Sequence, residues 1–267
     1  MVGKLDLAPL EDLVGRHGEV THNLQTQVVR GKGSQLFQTT ICLLLGRSQK
    51  LARDALCLLK RGSWEAAALI SRVVFEDAGV LGYINAQGRK KKQFAALYAK
   101  SVAWEREQFL KRWPSSEELA DRTSKQRNLS EREAKQFEIL RDELWTGARN
   151  GNGTPRFTDK NAWNGLTVKD TWKEAEPLSS YTYFMWYQTS CRYAHSSALV
   201  FGWAFATEFG MATPEKEAEQ AAIIARILLM ALVAEMQLVD GLVKITPALG
   251  LPTDDELEAM VARVLAP

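Results

Sequence analysis

YTYFMWYQTSCRYAHSSALVFGWAFATEF, from Tyr181 to Phe209, is the stretch on which the fold reading turns. It is rich in aromatics and is followed by no proline until Pro214. Tyr187, Cys191, Ala194, Ala198, Phe201 and Phe205 recur at intervals of three and four, which lays them along one stripe of an α-helix. Arg192, His195 and Ser196 share a neighbouring face, because offsets of three and four are the ones that meet. A long helix with a buried stripe and a polar patch beside it is the natural spine of a helical domain.

Working back from that spine, the text stays helical. In the segment NAWNGLTVKDTWKEAEP, 161–177, Thr167 caps one or two turns that stop near Pro177. TGARNGNGTPRF, 146–157, reads as a loop. Ser130 to Glu133 forms a capping box that opens a helix to Trp145, and residues 115–129 read as polar and mobile. Arg89, Lys90, Lys91 and Lys92 open a helix whose inner positions are Phe94, Leu97, Tyr98, Ser101, Trp104 and Phe109. Cations at a helix start oppose the helix dipole, so this quartet is either a solvated surface or a hint of a phosphate or acidic partner.

The helix before it, WEAAALISRVVFEDAGVLGYI, is apolar nearly all round and reads as central and buried. Its exceptions are Arg72, Glu76 and Asp77, with Arg72 and Glu76 spaced as a pair. Charges on such a helix must be paired or used, so the pair is a structural bridge or a functional site. Ahead of it run a helix with Phe37, Ile41, Leu44, Leu45 and Ala55 on its apolar face, ending at Lys60-Arg61-Gly62, and a first helix striped by Leu10, Leu13, His17, Val20, Leu24 and Val28. Beyond the spine, Thr213-Pro214 opens a helix of about 30 residues to Lys244. A second capping box, Thr253 to Glu256, opens the last helix. There is no internal repeat and no useful β alternation. The expectation is an all-α, single-domain irregular bundle of about seven to nine helices.

Bulk properties narrow the function classes. The 267 residues are 46% hydrophobic and 25% charged, ordinary globular values that allow a real core. With 34 basic against 32 acidic residues the net charge is only +2, which argues against nucleic-acid binding by bulk electrostatics and leaves only a local basic patch for it. Cys42, Cys57 and Cys191 lie in apolar helical text with no C-x-x-C pair, so they read as buried free thiols of a reducing compartment. The start, MVGKLDLAPLEDL, lacks the apolar core of a signal peptide, and the most apolar run, Ile227 to Ala234, is short of a bilayer span. A soluble, cytoplasmic protein is expected.

No metal constellation is visible: three histidines, no H-E-x-x-H, no paired Glu-x-x-His motifs. No phosphate-binding glycine loop follows a strand, and no cofactor is expected. Arg16 and His22 fit the Arg-x4–6-His spacing of small helical ribonucleases of the HEPN class. On an unbroken helix, six residues turn a side chain by about 240°, so the motif requires a break at Gly18. His195 has the chemistry of a general base, tuned by Arg192 or by an acid from another helix, and equally that of a hydrogen-bonded core histidine.

Three segments together resemble a known family. EAAALISRVVFEDAGVLGYI, AWNGLTVKDTWKEA and the helix containing YQTSCRYAHSS resemble the bacterial family catalogued as domain of unknown function 5677, over roughly residues 40–210. The resemblance rests on Arg72 and Glu76, on Trp163 and Gly165, and on Tyr187, Ser190 and His195; Cys191-Arg192 departs from the pattern. It implies a helical core; the first helix (5–29) and the C-terminal helices (214–265), which the resemblance does not cover, are expected to pack on that core. It also implies a candidate pocket lined by Arg72, Glu76, Tyr187, Arg192 and His195, with Trp163 and Lys169 at its mouth, and it implies no reaction.

Two functions then compete. One is a binding or interaction module with a polar pocket for a small ligand or partner segment, set in bacterial stress or phage defence. The other is an RNase-like hydrolase with His195 as base and Arg72 or Arg192 steadying a phosphate. Under either, the wide apolar surface of the 214–244 helix suggests a homodimer.

Overall fold

The computed structural model of the chain describes residues 5–29, 35–112, 124–145, 163–175, 213–243 and 252–265. Among these the chain is an all-α bundle: α1 (Ala8–Val29), α2 (Gln35–Lys60), α3 (Trp64–Ala86), α4 (Lys91–Arg112), α5 (Ser124–Trp145), α6 (Val168–Glu174), α7 (Pro214–Val243) and α8 (Asp254–Leu265). A single 3-10 turn, Gly88–Lys90, precedes α4. The spine stretch 181–209 lies outside the described residues.

The chain divides into two compact units, one of Met1–Ala86 with Trp172–Pro267, the other of Gln87–Thr171. In the first, α3 packs on both α2 and α7, α1 packs on α2 and α7, and α8 closes on α1 and α7. The near-uniform apolarity of α3 fits those two neighbours, which bury most of its circumference and leave only an edge at Leu69, Arg72 and Glu76. Val74, Phe75, Ala78, Leu81 and Ile84 of α3 are at most 1% exposed. On α1 the stripe Leu10, Leu13, His17, Val20 and Leu24 is buried as its spacing requires.

α7 is long and apolar enough by length and composition to cross a bilayer, more so than the short run Ile227 to Ala234 suggested. That window is 78% buried within the protein, against α1, α2 and α3. The apolar surface that made self-association attractive is therefore largely covered inside the chain.

The second unit is built on α4 and α5. Trp104 and Phe137 meet at 5.1 Å between ring centroids, and the Arg141 guanidinium stands over both rings. Trp104 donates its indole N–H to Glu138 at 3.3 Å. Lys100 donates to Glu133 and Gln136. The start of α5 lies six residues ahead of the expected capping box, at Ser124. Nothing between Ser124 and Ser130 breaks a helix, and Glu133, expected to fold back as a cap, reaches across to Lys100 instead.

Other local expectations hold. Gly62 follows α2, and the Ser63 N–H reaches back to the Leu58 carbonyl. Thr213 accepts from the Lys216 N–H at the start of α7. At α8 the Thr253 N–H donates to Glu256 while Thr253 Oγ1 accepts from the Glu256 N–H, a complete capping box. Cys57, in contrast, is exposed and Cys42 half-buried, so the thiols of α2 line its flank rather than its core. Partial burial pushes the Cys42 thiol up from its ordinary value, which makes it a poor nucleophile.

The Trp-x-Gly turn is held by its own side chains. Asn164 Oδ1 accepts from the Leu166 N–H, and Asn164 Nδ2 donates to Thr171 Oγ1 at 2.9 Å. Thr167 Oγ1 accepts from the Asp170 N–H at 3.1 Å and donates to Asp170 Oδ2, so Thr167 caps α6 as expected. Thr167→Ala is expected to cost about 1 kcal/mol. Faster amide exchange in α6 checks this, and unchanged protection would show that the turn is held by Asn164 alone.

Candidate functional site

The polar groups that the described fold assembles form one chain across four helices. It starts at α1, where His17 stands in the apolar stripe with no exposure. Its Nδ1 lies 2.7 Å from Gln49 Oε1 of α2, and its Nε2 lies 2.8 Å from Glu235 Oε2 of α7. Ser48 of α2 continues the chain, its Oγ 2.7 Å from Glu235 Oε1 and 3.2 Å from Asp77 Oδ2 of α3. Arg47 ends it, donating through Nε and Nη2 to both oxygens of Asp77. His17, Ser48, Asp77 and Glu235 are all 0% exposed, while the Arg47 side chain is 50% exposed.

Hydrogen-bond direction follows from chemistry. Gln49 Nε2 donates to the Val14 carbonyl at 3.0 Å, so its amide can present only oxygen to His17. His17 Nδ1 therefore carries a hydrogen. A hydrogen bond between His17 Nε2 and Glu235 needs one proton between the two atoms, and Ser48 has one hydroxyl hydrogen for two carboxylates. Burial pushes the Glu235 carboxyl up from its ordinary value, the neighbouring His17 opposing it and the Asp77 charge adding to it. Burial likewise pushes Asp77 up, against the Arg47 guanidinium, with Glu76 adding to the rise.

The network lacks the arrangement of a nucleophile. Among the described residues Ser48 bonds to two carboxylates and not to the imidazole, so it lacks the histidine partner of a Ser–His pair, and its side chain is fully buried. Among the described residues no cluster of three or more His, Cys, Asp or Glu could hold a metal ion.

Of the residues expected to form a pocket, Arg72 and Glu76 are together. Arg72 Nε donates to Glu76 Oε1 at 3.0 Å, with the two side chains 23% and 34% exposed. They sit at the edge of α3, not inside it. The buried charge of that helix is Asp77, paired across to α2 rather than along α3. Trp163 belongs to the second unit, where it meets Tyr98 edge-on at 5.1 Å. Tyr187, Arg192, His195 and the Lys169 side chain lie outside the described residues.

The ribonuclease-like spacing on α1 does not converge. The helix runs unbroken through Gly18; Arg16 pairs with Asp12 at 2.9 Å, and His22 is exposed. Arg89, Lys90 and Lys92 are exposed at the 3-10 turn and the first turn of α4. Sequence reasoning placed His17 in the stripe of α1 and marked Asp77 as a charge on α3, but it did not join either of them to Glu235. Their separation, up to 218 residues, hid the pairing.

Fold and site together define a helical protein organised around a closed polar core. The model of DUF5677, a family of unknown function, matches residues 38–208, and the chain belongs to that family. No curated protein and no solved structure matches it. The matched segment holds α2 almost entirely, α3 and their polar residues; α1 and α7, which supply His17 and Glu235, lie outside it.

Proposed function

We propose that the chain is a non-catalytic binding module whose recognition edge is the surface where Arg47 of α2 and the Arg72–Glu76 pair of α3 come out of the core. One observation carries this reading: Arg47 is half exposed, yet is clamped through two nitrogens to a carboxylate with no exposure. A guanidinium held in that way is oriented before anything binds, which lowers the entropy cost of recognition. Glu76 is close enough to Asp77 to raise its carboxyl, so the two pairs share one electrostatic neighbourhood. The chemistry suits a polar ligand or partner segment carrying both an acid and a donor.

Native mass spectrometry of the full chain as purified is expected to show a bound species that Arg72→Ala/Glu76→Ala loses while keeping its helicity. A species that survives in the double variant, or none in either protein, sinks the reading. The RNase-like alternative draws on the exposed cations at the start of α4, and it requires RNA cleavage that disappears in His195→Ala.

A further inference from the structure

We propose that His17, Glu235 and Ser48 form a proton-loaded latch, which holds the flanking helices α1 and α7 on the family core and lets go as pH rises. The geometry allows the His17–Glu235 pair one proton between its facing atoms. Gln49, fixed by the Val14 carbonyl, keeps Nδ1 as a donor at all times. With one further proton at Nε2 or on Glu235, the 2.8 Å contact is a hydrogen bond and the pair carries no net charge. Remove that proton and a lone pair faces a carboxylate at the same distance, with a net negative charge at zero exposure. Add a second and the pair becomes cationic in the same closed space.

The surroundings favour keeping exactly that single proton. From α2, Ser48 and Gln49 meet the pair through uncharged groups, while Arg47 pairs with Asp77 of α3. The Asp77 charge, one hydroxyl away through Ser48, adds to the effect of burial on the Glu235 carboxyl and holds the proton more tightly. Among the described residues α8 also packs on α1 and α7, and its ion pair, between Arg263 and Asp6, is on the outside.

The pH consequence follows from counting protons in the two states. In an unfolded chain a free imidazole holds its second proton only below about pH 6.5, and a free glutamate is ionised above about pH 4.3. Between those values both states hold one proton, and stability is level. Above about pH 6.5 the folded pair keeps a proton that the unfolded chain has lost, so stability falls as pH rises, the unfolding constant growing about tenfold per pH unit. The fall ends where the folded pair itself lets go.

Glu235→Gln isolates the effect. Its carboxamide oxygen would take the Ser48 hydroxyl and its NH2 would donate to His17 Nε2, reproducing the protonated acid without the titrating carboxyl. Unfolding in urea is compared for the two full-length proteins between pH 6 and 8.5, so that all other titrating groups cancel in the difference. The wild type is expected to lose stability relative to the variant by about tenfold per pH unit above neutrality, with amide exchange rising first in α1 and α7. Parallel profiles overturn the proposal. Should the variant not fold, nitrogen NMR of the wild-type protein decides: the Nδ1 and Nε2 signals of His17, held by Gln49 and Glu235, are expected to stay in place from pH 5.5 to 8. A His17 signal that moves across that range overturns it equally.

Discussion

Glu235→Ala is expected to destabilise the first unit by about 3–5 kcal/mol, the range for removing one partner from a buried charged pair. Glu235 is fully buried and joins His17 to Ser48 through its two oxygens. Truncation leaves His17 Nε2 and the Ser48 hydroxyl facing a dry cavity, and each loses a partner that water cannot replace. The cavity adds its own penalty, since α7 is held on several sides by α1, α2, α3 and α8 and has little room to collapse. Urea unfolding with amide exchange along α1 and α7 measures the effect. A loss under about 1 kcal/mol would mean that the carboxylate is replaced by solvent and that the core is not closed.

Trp172→Ala is expected to cost a similar 3–5 kcal/mol for a different reason. Trp172 is 1% exposed and stacks on Phe75 of α3, with ring centroids 4.1 Å apart and planes within 12°. The indole lies against the backbone of Gly79, where a Cβ would stand only 2.6–2.8 Å from ring atoms. The Gly79 position thus exists to admit this ring. Gly79→Ala should also destabilise, because overpacking by about 1–3 kcal/mol outweighs the roughly 1 kcal/mol that alanine gains in helix propensity. If Gly79→Ala stabilises the protein instead, the ring is not seated as described.

How much of this was legible beforehand depended on whether a feature is local. Caps are local, and Thr167, Thr213 and Thr253 act where their spacing placed them. The start of α5 was missed because a capping-box pattern at Ser130 can sit inside a helix when its Glu133 finds a partner on another one. The centrality of α3 was legible from its missing polar face, and the burial of His17 from its place in a stripe.

The site was less legible. Arg72 and Glu76 were singled out by their spacing, but spacing finds pairs within a helix, which are surface pairs by construction. The costly charge was Asp77, whose partner sits 30 positions away on α2. Glu235 finds His17 across 218 positions, and no periodicity carries that information. Folding through two helices outside the family segment was needed to bring them together.

Gly18 interrupts the stripe of α1 without interrupting the helix. An added Cβ there would meet the Gln49 amide nitrogen at 2.8 Å. Gln49 is flexible enough to swing aside at little steric cost, but only by leaving the Val14 carbonyl and presenting His17 with no fixed acceptor. A single hydrogen atom in place of a methyl group thereby keeps the acceptor that selects the tautomer of His17. In hereditary terms, the mutations that most alter the acid–base behaviour of this protein need not touch an ionisable residue at all.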